Sequence, residues 1–377
     1  MKDKLTILAA SLVVLWAVWS YYDRSPDWTA SDASIAVTES VTTDTLCSRN
    51  VVGIQPFMVP SDYLTNRHFY EKMRLYFKQA QTAGYFRSNT VVLLPEYIGT
   101  WLVIAGEKQG VAEAGSITGA MALIVTSNPL KLLRQVFNAN GESDRMAAAI
   151  FRMKARAMAD IYGNTFSRLA KEFGVTINAG SIVLPGPSVE SNTIMVNLDA
   201  PLYNTTFVFH PVGAIDAQVV KKSFPISSEL PFVKAASVDE LPVYELPTGR
   251  TALLVCADSW YPAAYERISS LSAEVILVDS YCAGDNAMSK TWRGYDGGSL
   301  PADVDSSHIG KLTEREAWIA HALPGRIAAT GARVGVNVFL RGQLWDLGTD
   351  GQPFFVLDGK LLNVTPSDKG GVWNLCF

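Results

Sequence analysis

Thr251-Ala-Leu-Leu-Val-Cys-Ala-Asp-Ser-Trp-Tyr-Pro262 decides how this chain is read. An apolar run of strand type stops at Cys256, and a small residue, an acid, two aromatics and a proline lead into a helical pattern from Ala263. A buried strand that delivers a cysteine into a turn before a helix sets the sulfur at the C-terminal edge of a sheet. Open α/β folds place their sites there, with backbone N–H groups and a helix N-terminus aimed at whatever the sulfur attacks. A buried, inert thiol reads the same way in isolation.

Working outward, the pattern is α/β. Apolar strands are expected at Asn50–Phe57, Thr90–Leu94, Val175–Leu184, Ser191–Leu198, Asn204–Pro211, Ala273–Asp279 and Arg333–Phe339. Helical spacing runs through Asp62–Ala83, with Ser61 or Asp62 as cap, and through Asp144–Phe173, Tyr261–Leu271 and Thr313–Thr330. No GxGxxG or GxxxxGK[ST] loop interrupts this alternation, so a nucleotide cradle is not expected. Thr90-Val-Val-Leu-Leu-Pro-Glu-Tyr97 ends in Glu96, which is either a solvated loop acid or a site acid at the sheet edge.

The chain has 377 residues, 18% charged and 48% apolar, with a formal net charge of −4. It carries no basic stripe, which argues against a nucleic-acid partner. Cys47, Cys256, Cys282 and Cys376, and likewise His68, His210, His308 and His321, lack metal-ligand spacing. No metal or other cofactor is expected. Cys47 and Cys376 sit near the two ends of the body, where an oxidising compartment would allow them to pair, although sequence alone does not give connectivity. Cys282 follows the strand at 273–279 and either lines the site or is inert.

Leu5–Trp19 carries no charge, is preceded by Lys2 and Lys4 and is followed by Tyr21, Tyr22, Asp23 and Arg24. Bulky Trp19, Tyr21 and Tyr22 stand where signal cleavage needs small residues, so residues 1–24 read as an uncleaved single-pass anchor. The flanking charges place the body on the extracytoplasmic, periplasmic side. Residues 25–48 read as a Ser/Thr/Asp/Ala-rich tether and 49–377 as one catalytic domain. Within it, residues 101–140 read as an insertion that covers the site or rests on the membrane surface, or as an ordinary buried helical hairpin.

Three blocks in order, LLPEY at Glu96, VVKKSFPISSELP at Lys221 and LLVCADSWYP at Cys256, resemble the motifs of the nitrilase superfamily, the carbon–nitrogen hydrolases. Phe173–Ser181, Asn204–Phe209 and Gly325–Asn337 resemble its supporting strands. The resemblance spans roughly residues 51–355. The tail of the pattern also resembles apolipoprotein N-acyltransferases, which carry several membrane helices where this chain has one. In the lysine block Ser223 and Phe224 replace the usual histidine-leucine. Aligning Glu229 with the family's second glutamate selects Lys221, with Lys222 as competitor.

The resemblance implies a four-layer α-β-β-α sandwich, preceded here by the transmembrane helix, and commonly a homodimer. It implies Glu96 as general base, Lys221 and the Ala257 N–H as oxyanion donors, Cys256 as nucleophile and Glu229 as auxiliary acid. Tyr97, Trp260 and Tyr261 are expected in the pocket, while Asp258 is expected to order the turn. Cys-Ala-Asp favours an amide over a nitrile, so the expectation is a membrane-anchored amidase acting on a small-molecule or lipid-like amide. An N-acyltransferase and a non-catalytic scaffold with this fold remain the alternatives.

Overall fold

A computed structural model describes residues 2–24, 31–42, 47–139 and 141–377. Two sheets stack face to face. Across the first run the strands Ile35–Ser40, Gly370–Cys376, Asn50–Gln55, Thr90–Leu93, Thr176–Pro185, Leu202–Phe209 and Val220–Lys221. Across the second run Val243–Leu246, Gly249–Val255, Val275–Ser280, Val334–Phe339, Phe354–Leu357 and Lys360–Leu362. The central strands of each sheet are parallel, and their neighbours on both sides are antiparallel.

Parallel strands covered on both faces need continuous apolar runs, and Val91, Val92, Leu253, Leu254, Ile276 and Leu277 supply them, all fully buried. Val51, Val91 and Leu93 of the first sheet pack with Leu253, Leu277 and Val336 of the second. Gly53 marks a close approach of the two sheets, because a Cβ there would lie 2.8 Å from Val338 Cγ1.

The N-terminal helix α1 (Lys2–Tyr21) precedes this sandwich. Helices α2 (Asn66–Thr82), α3 (Gln109–Ala112), α4 (Ile117–Ser127), α5 (Pro129–Asn138) and α6 (Arg145–Phe173) follow. The last three are α7 (Pro262–Ser270), α8 (Glu314–His321) and α9 (Leu323–Arg326). Phe69, Met73 and Phe77 of α2 and Tyr162, Phe166 and Leu169 of α6 cover the outer face of the first sheet. Ala264 and Ile268 of α7 and Leu323 of α9 cover the second. The result is the expected α-β-β-α sandwich. In α6, Asp144 caps the start by accepting from Ala147 N, and Gly174 (φ 65°) closes the end.

Several sequence expectations are corrected. The cap of α2 is Thr65, which accepts from His68 N, while Asp62 is buried and pairs with Lys72 at 3.5 Å. Residues 35–40, expected within the tether, form an edge strand on Gly370–Cys376, so the globular unit begins earlier than residue 49. Residues 25–30 and 43–46 of that tether lie outside the described residues. The strand expected at 191–198 is a short hairpin, Ser188–Glu190 with Thr193–Met195. The helix expected at 313–330 breaks at Ala322, ahead of Pro324, into α8, α9 and a 3-10 turn.

The closing strand Gly370–Cys376 runs antiparallel to Asn50–Gln55 deep in the first sheet. Cys376, the last residue of this strand, forms a disulfide with Cys47. The insertion is helical: a 3-10 turn at Thr100–Ile104 is followed by α3, α4 and α5, and α5 packs on α6.

Candidate active site

Glu96 follows the end of strand Thr90–Leu93, and Cys256 follows the end of Gly249–Val255. The two sheets therefore present both residues at the same edge of the sandwich. Each sits beside a left-handed backbone position. Tyr97 has φ 62° and Cys256 itself has φ 47°, a conformation that costs a non-glycine residue energy and is kept where surroundings enforce it.

At the first turn the enforcing residues are Gly180 and Ser181. A Cβ on Gly180 would lie 2.1 Å from the Pro95 carbonyl oxygen, so only glycine lets that carbonyl approach. Ser181 N donates to Pro95 O (3.3 Å), and Tyr97 N donates to Ser181 Oγ (2.9 Å). At the second turn Asp258 accepts from Val255 N (3.3 Å), Ser223 N (2.9 Å) and Phe224 N (2.8 Å). Asp258 thus ties the cysteine turn to the lysine segment, and Phe224 stacks on Tyr261 with centroids 4.0 Å apart. Burial pushes its carboxyl up to about 7, against the pull of Lys222 and these backbone donors.

The lysine inside the site is Lys222, not Lys221. Lys222 Nζ lies 2.8 Å from Glu96 Oε1 and 2.7 Å from Glu229 Oε2, with its side chain fully buried. Lys221 is the last residue of its edge strand and points the other way, its Nζ 4.8 Å from the centre of the Tyr203 ring. Successive side chains of an extended chain alternate faces, so a shift of one residue exchanges the buried lysine for the surface one.

Asn204 Nδ2 donates to Glu96 Oε1 and to Glu229 Oε1, each at 2.8 Å. Glu229 also accepts from Ile226 N at 2.9 Å. Sequence reading placed Asn204 in a supporting strand and missed this bridging role. Its signal was an amide side chain on an otherwise apolar and hydroxylic strand.

The charges set each other's protonation. Burial opposes the charge on Lys222, but Glu229 and Glu96 outweigh it and hold the ammonium well above the ordinary lysine range. Burial would raise Glu229, yet Lys222, Tyr97 and Ile226 N hold it below its usual value. Glu96 is raised by burial, with Lys222 pulling it down and Glu229 pushing it up. Two carboxylates share one ammonium, and Glu96 is the one left with the higher proton affinity. The Cys256 thiol is raised by burial and by the neighbouring Glu96 carboxylate, with Lys222 opposing. Its Sγ also lies 3.6 Å from the Tyr281 carbonyl oxygen. A protonated thiol beside a carboxylate with elevated proton affinity has the chemistry a nucleophile–base pair needs.

A cavity of about 370 Å³ opens on Cys256. Ala257, Trp260 and Tyr261 line it; Tyr97 does not, and its ring packs on Tyr281. Trp292, Tyr295 and Trp318, which sequence reading did not single out, also line it. Trp260 packs on Trp318 (4.8 Å) and Trp292 (5.9 Å). Cys282 lines the cavity as a free thiol, pushed up to about 12 by burial. Among the described residues no cluster of three metal-ligating side chains occurs.

No family model and no curated protein matches the chain. Solved structures do match its fold, among them amidases of the nitrilase superfamily. An amidase from Nesterenkonia sp. aligns with TM-score 0.52 and 15% identity over 88% of this chain and 90% of that one. A mutant of the Nesterenkonia sp. AN1 amidase in complex with butyramide aligns with TM-score 0.52 and 15% identity over 88% and 91%. A further mutant, showing covalent addition of the acetamide moiety of fluoroacetamide at the active site cysteine, aligns with TM-score 0.51 and 15% identity over 89% and 92%. At these identities the likeness is one of fold.

Proposed function

We propose that this chain, which has the fold of the nitrilase-superfamily amidases, is a membrane-anchored carbon–nitrogen hydrolase that cleaves an amide through a thioester on Cys256. The observation that carries this reading is the convergence of Glu96, Lys222 and Glu229 around the Cys256 turn.

Glu96 takes the thiol proton as sulfur adds to the amide carbonyl carbon. The oxyanion that forms faces the Lys222 ammonium and the Ala257 N–H. Glu96 then gives its proton to the amide nitrogen, the C–N bond breaks and the amine leaves. Water attacks the thioester with Glu96 again accepting a proton. The acid departs and the proton returns to sulfur. Glu229, held by Asn204 and Lys222, keeps the ammonium fixed so that it stabilises the oxyanion without reorganising. The walls of Trp260, Trp292 and Trp318 favour an apolar or planar acyl group.

Helix α1 is long and apolar enough to cross a membrane, with mean hydropathy 1.6 over Lys4–Tyr21; a signal sequence passes the same test. The Cys47–Cys376 disulfide supports an extracytoplasmic body, since such bonds persist in oxidising compartments. Acyl transfer to an amine is the second reading, favoured by the apolar helix α4, which contacts α1 and gives the body an apolar surface beside the anchor. The test is a product assay on a short aliphatic amide, with and without an acceptor amine. Ammonia and free acid from the wild type, and neither from Cys256→Ala, support hydrolysis; an N-acyl product formed in preference to the acid supports transfer. No turnover of any amide or activated ester leaves only the binding scaffold.

A further inference from the structure

Helix α5 packs its faces contrary to the usual rule for a soluble protein. Its inward positions hold Leu132 and the polar Gln135, the latter 8% exposed. Its outward positions hold Leu130, Leu133 and Phe137, exposed by 80%, 55% and 64%. These three recur at spacings of three and four and so share one face, flanked by the cations Lys131 and Arg134. An apolar stripe with basic flanks, turned away from its own domain, has the composition of a helix lying in a bilayer interface.

The position of α5 supplies the second observation. Helix α1 leaves the body at the junction of α4 and α5. Trp16 Nε1 donates to Thr126 O (3.0 Å), Ser20 Oγ donates to Ser127 O (2.6 Å), and Arg24 reaches Ser127 O and Asn128 Oδ1, each at 3.3 Å. Buried Glu107 locks the joint. It pairs with Lys154 of α6 at 2.5 Å and Arg24 at 3.4 Å, and accepts from Asn128 Nδ2 at 3.0 Å. Leu130 begins two residues beyond Asn128, so the stripe starts where the anchor meets the body.

The length of the anchor supplies the third. Helix α1 has 20 residues and is about 30 Å long at 1.5 Å per residue, no more than the depth of a hydrocarbon core of about 30 Å. Trp16 and Ser20, near its end, are already held by the body. With the last turns of the span tied to the body, the attached domain is held at the membrane surface.

We propose that α5 is an in-plane membrane helix, with Leu130, Leu133 and Phe137 in the acyl-chain boundary and Lys131 and Arg134 on anionic lipid headgroups. It thereby fixes the orientation of the catalytic domain on the bilayer. This rests on the reading of α1 as an anchor. The experiment tests the two separately, in the full chain reconstituted into vesicles of mixed phosphatidylglycerol and phosphatidylcholine.

Single cysteines introduced as Leu12→Cys, Leu133→Cys, Phe137→Cys and, as a water-facing control, Lys360→Cys carry an environment-sensitive fluorophore. Each is probed with a spin-labelled lipid and with aqueous iodide. Labels at 133 and 137 are expected to be quenched by the lipid probe and to lose iodide quenching, while 360 behaves oppositely. Lipid quenching at 12 without quenching at 133 and 137 overturns the proposal and leaves the anchor standing. No lipid quenching at 12 overturns the anchor, and with it the proposal that rests on it. Protection of 133 and 137 from both probes means that protein covers the stripe, and also overturns it.

Discussion

Lys221 and Lys222 share a peptide bond and face opposite sides of the polypeptide: Lys222 Nζ lies 2.8 Å from Glu96 Oε1, whereas Lys221 Nζ lies over the ring of Tyr203 at 4.8 Å. One is a buried member of a charge cluster, and the other makes a surface cation–π contact. Lys222→Met should abolish turnover. It should also lower stability by about 3–5 kcal/mol, because it strands two buried carboxylates. Lys221→Met should leave activity near wild type and cost at most about 1 kcal/mol. Steady-state kinetics with denaturant unfolding of both variants checks the contrast.

The acid limb of kcat/KM should report Glu96. Its carboxyl is raised by burial, so it stays protonated to a higher pH than a free glutamate. Only the ionised form accepts the thiol proton, so activity should be lost as pH falls through a value above 4.5, the ordinary glutamate value. Cys256 is raised well above the ordinary thiol range, so the thiol should not supply a second limb near neutrality. A pH–rate profile of the wild type, with Glu96→Gln as the inactive control, carries this prediction.

Glu314 lines the cavity beside Trp318, and burial pushes it up to about 7. Above that pH it adds a negative charge to an aromatic wall. For amides whose acyl chain ends in an amine, KM should fall as pH rises through about 7. Glu314→Gln should flatten that dependence while leaving kcat near wild type. Matched neutral amides should show no such change.

The Cys47–Cys376 bond joins positions 329 residues apart and fastens the last strand into the first sheet. The Cys47→Ala/Cys376→Ala variant should lose about 2–5 kcal/mol of stability while retaining its active-site chemistry. Thermal unfolding with and without reductant reads the loss. Thiol titration of the denatured, unreduced protein should find only Cys256 and Cys282.

What sequence could and could not convey differs from residue to residue. Val91–Leu93 and Leu253–Val255 announced themselves, since a strand buried on both faces is apolar throughout and ends where its site begins. Glu96 and Cys256 were legible for that reason, and Glu229 from its family spacing. The choice between Lys221 and Lys222 was not, because a two-residue edge strand carries no alternation from which to read which side faces inward. Ile35–Ser40 hid in a polar stretch because an edge strand is half solvated, and its burial alternates. Trp292, Tyr295 and Trp318 come from a loop and a distant helix, and only tertiary folding brings them around one cavity.

The account turns on Cys256 as the residue that becomes acylated. The direct measurement is rapid acid quench of the enzyme with p-nitrophenyl butyrate, followed by peptide mass spectrometry. A burst of p-nitrophenol should accompany a hydroxylamine-sensitive butyryl group on the peptide that carries Cys256, and both should vanish in Cys256→Ala. Butyryl on Cys282, or undiminished turnover by the Cys256→Ala protein, would contradict it.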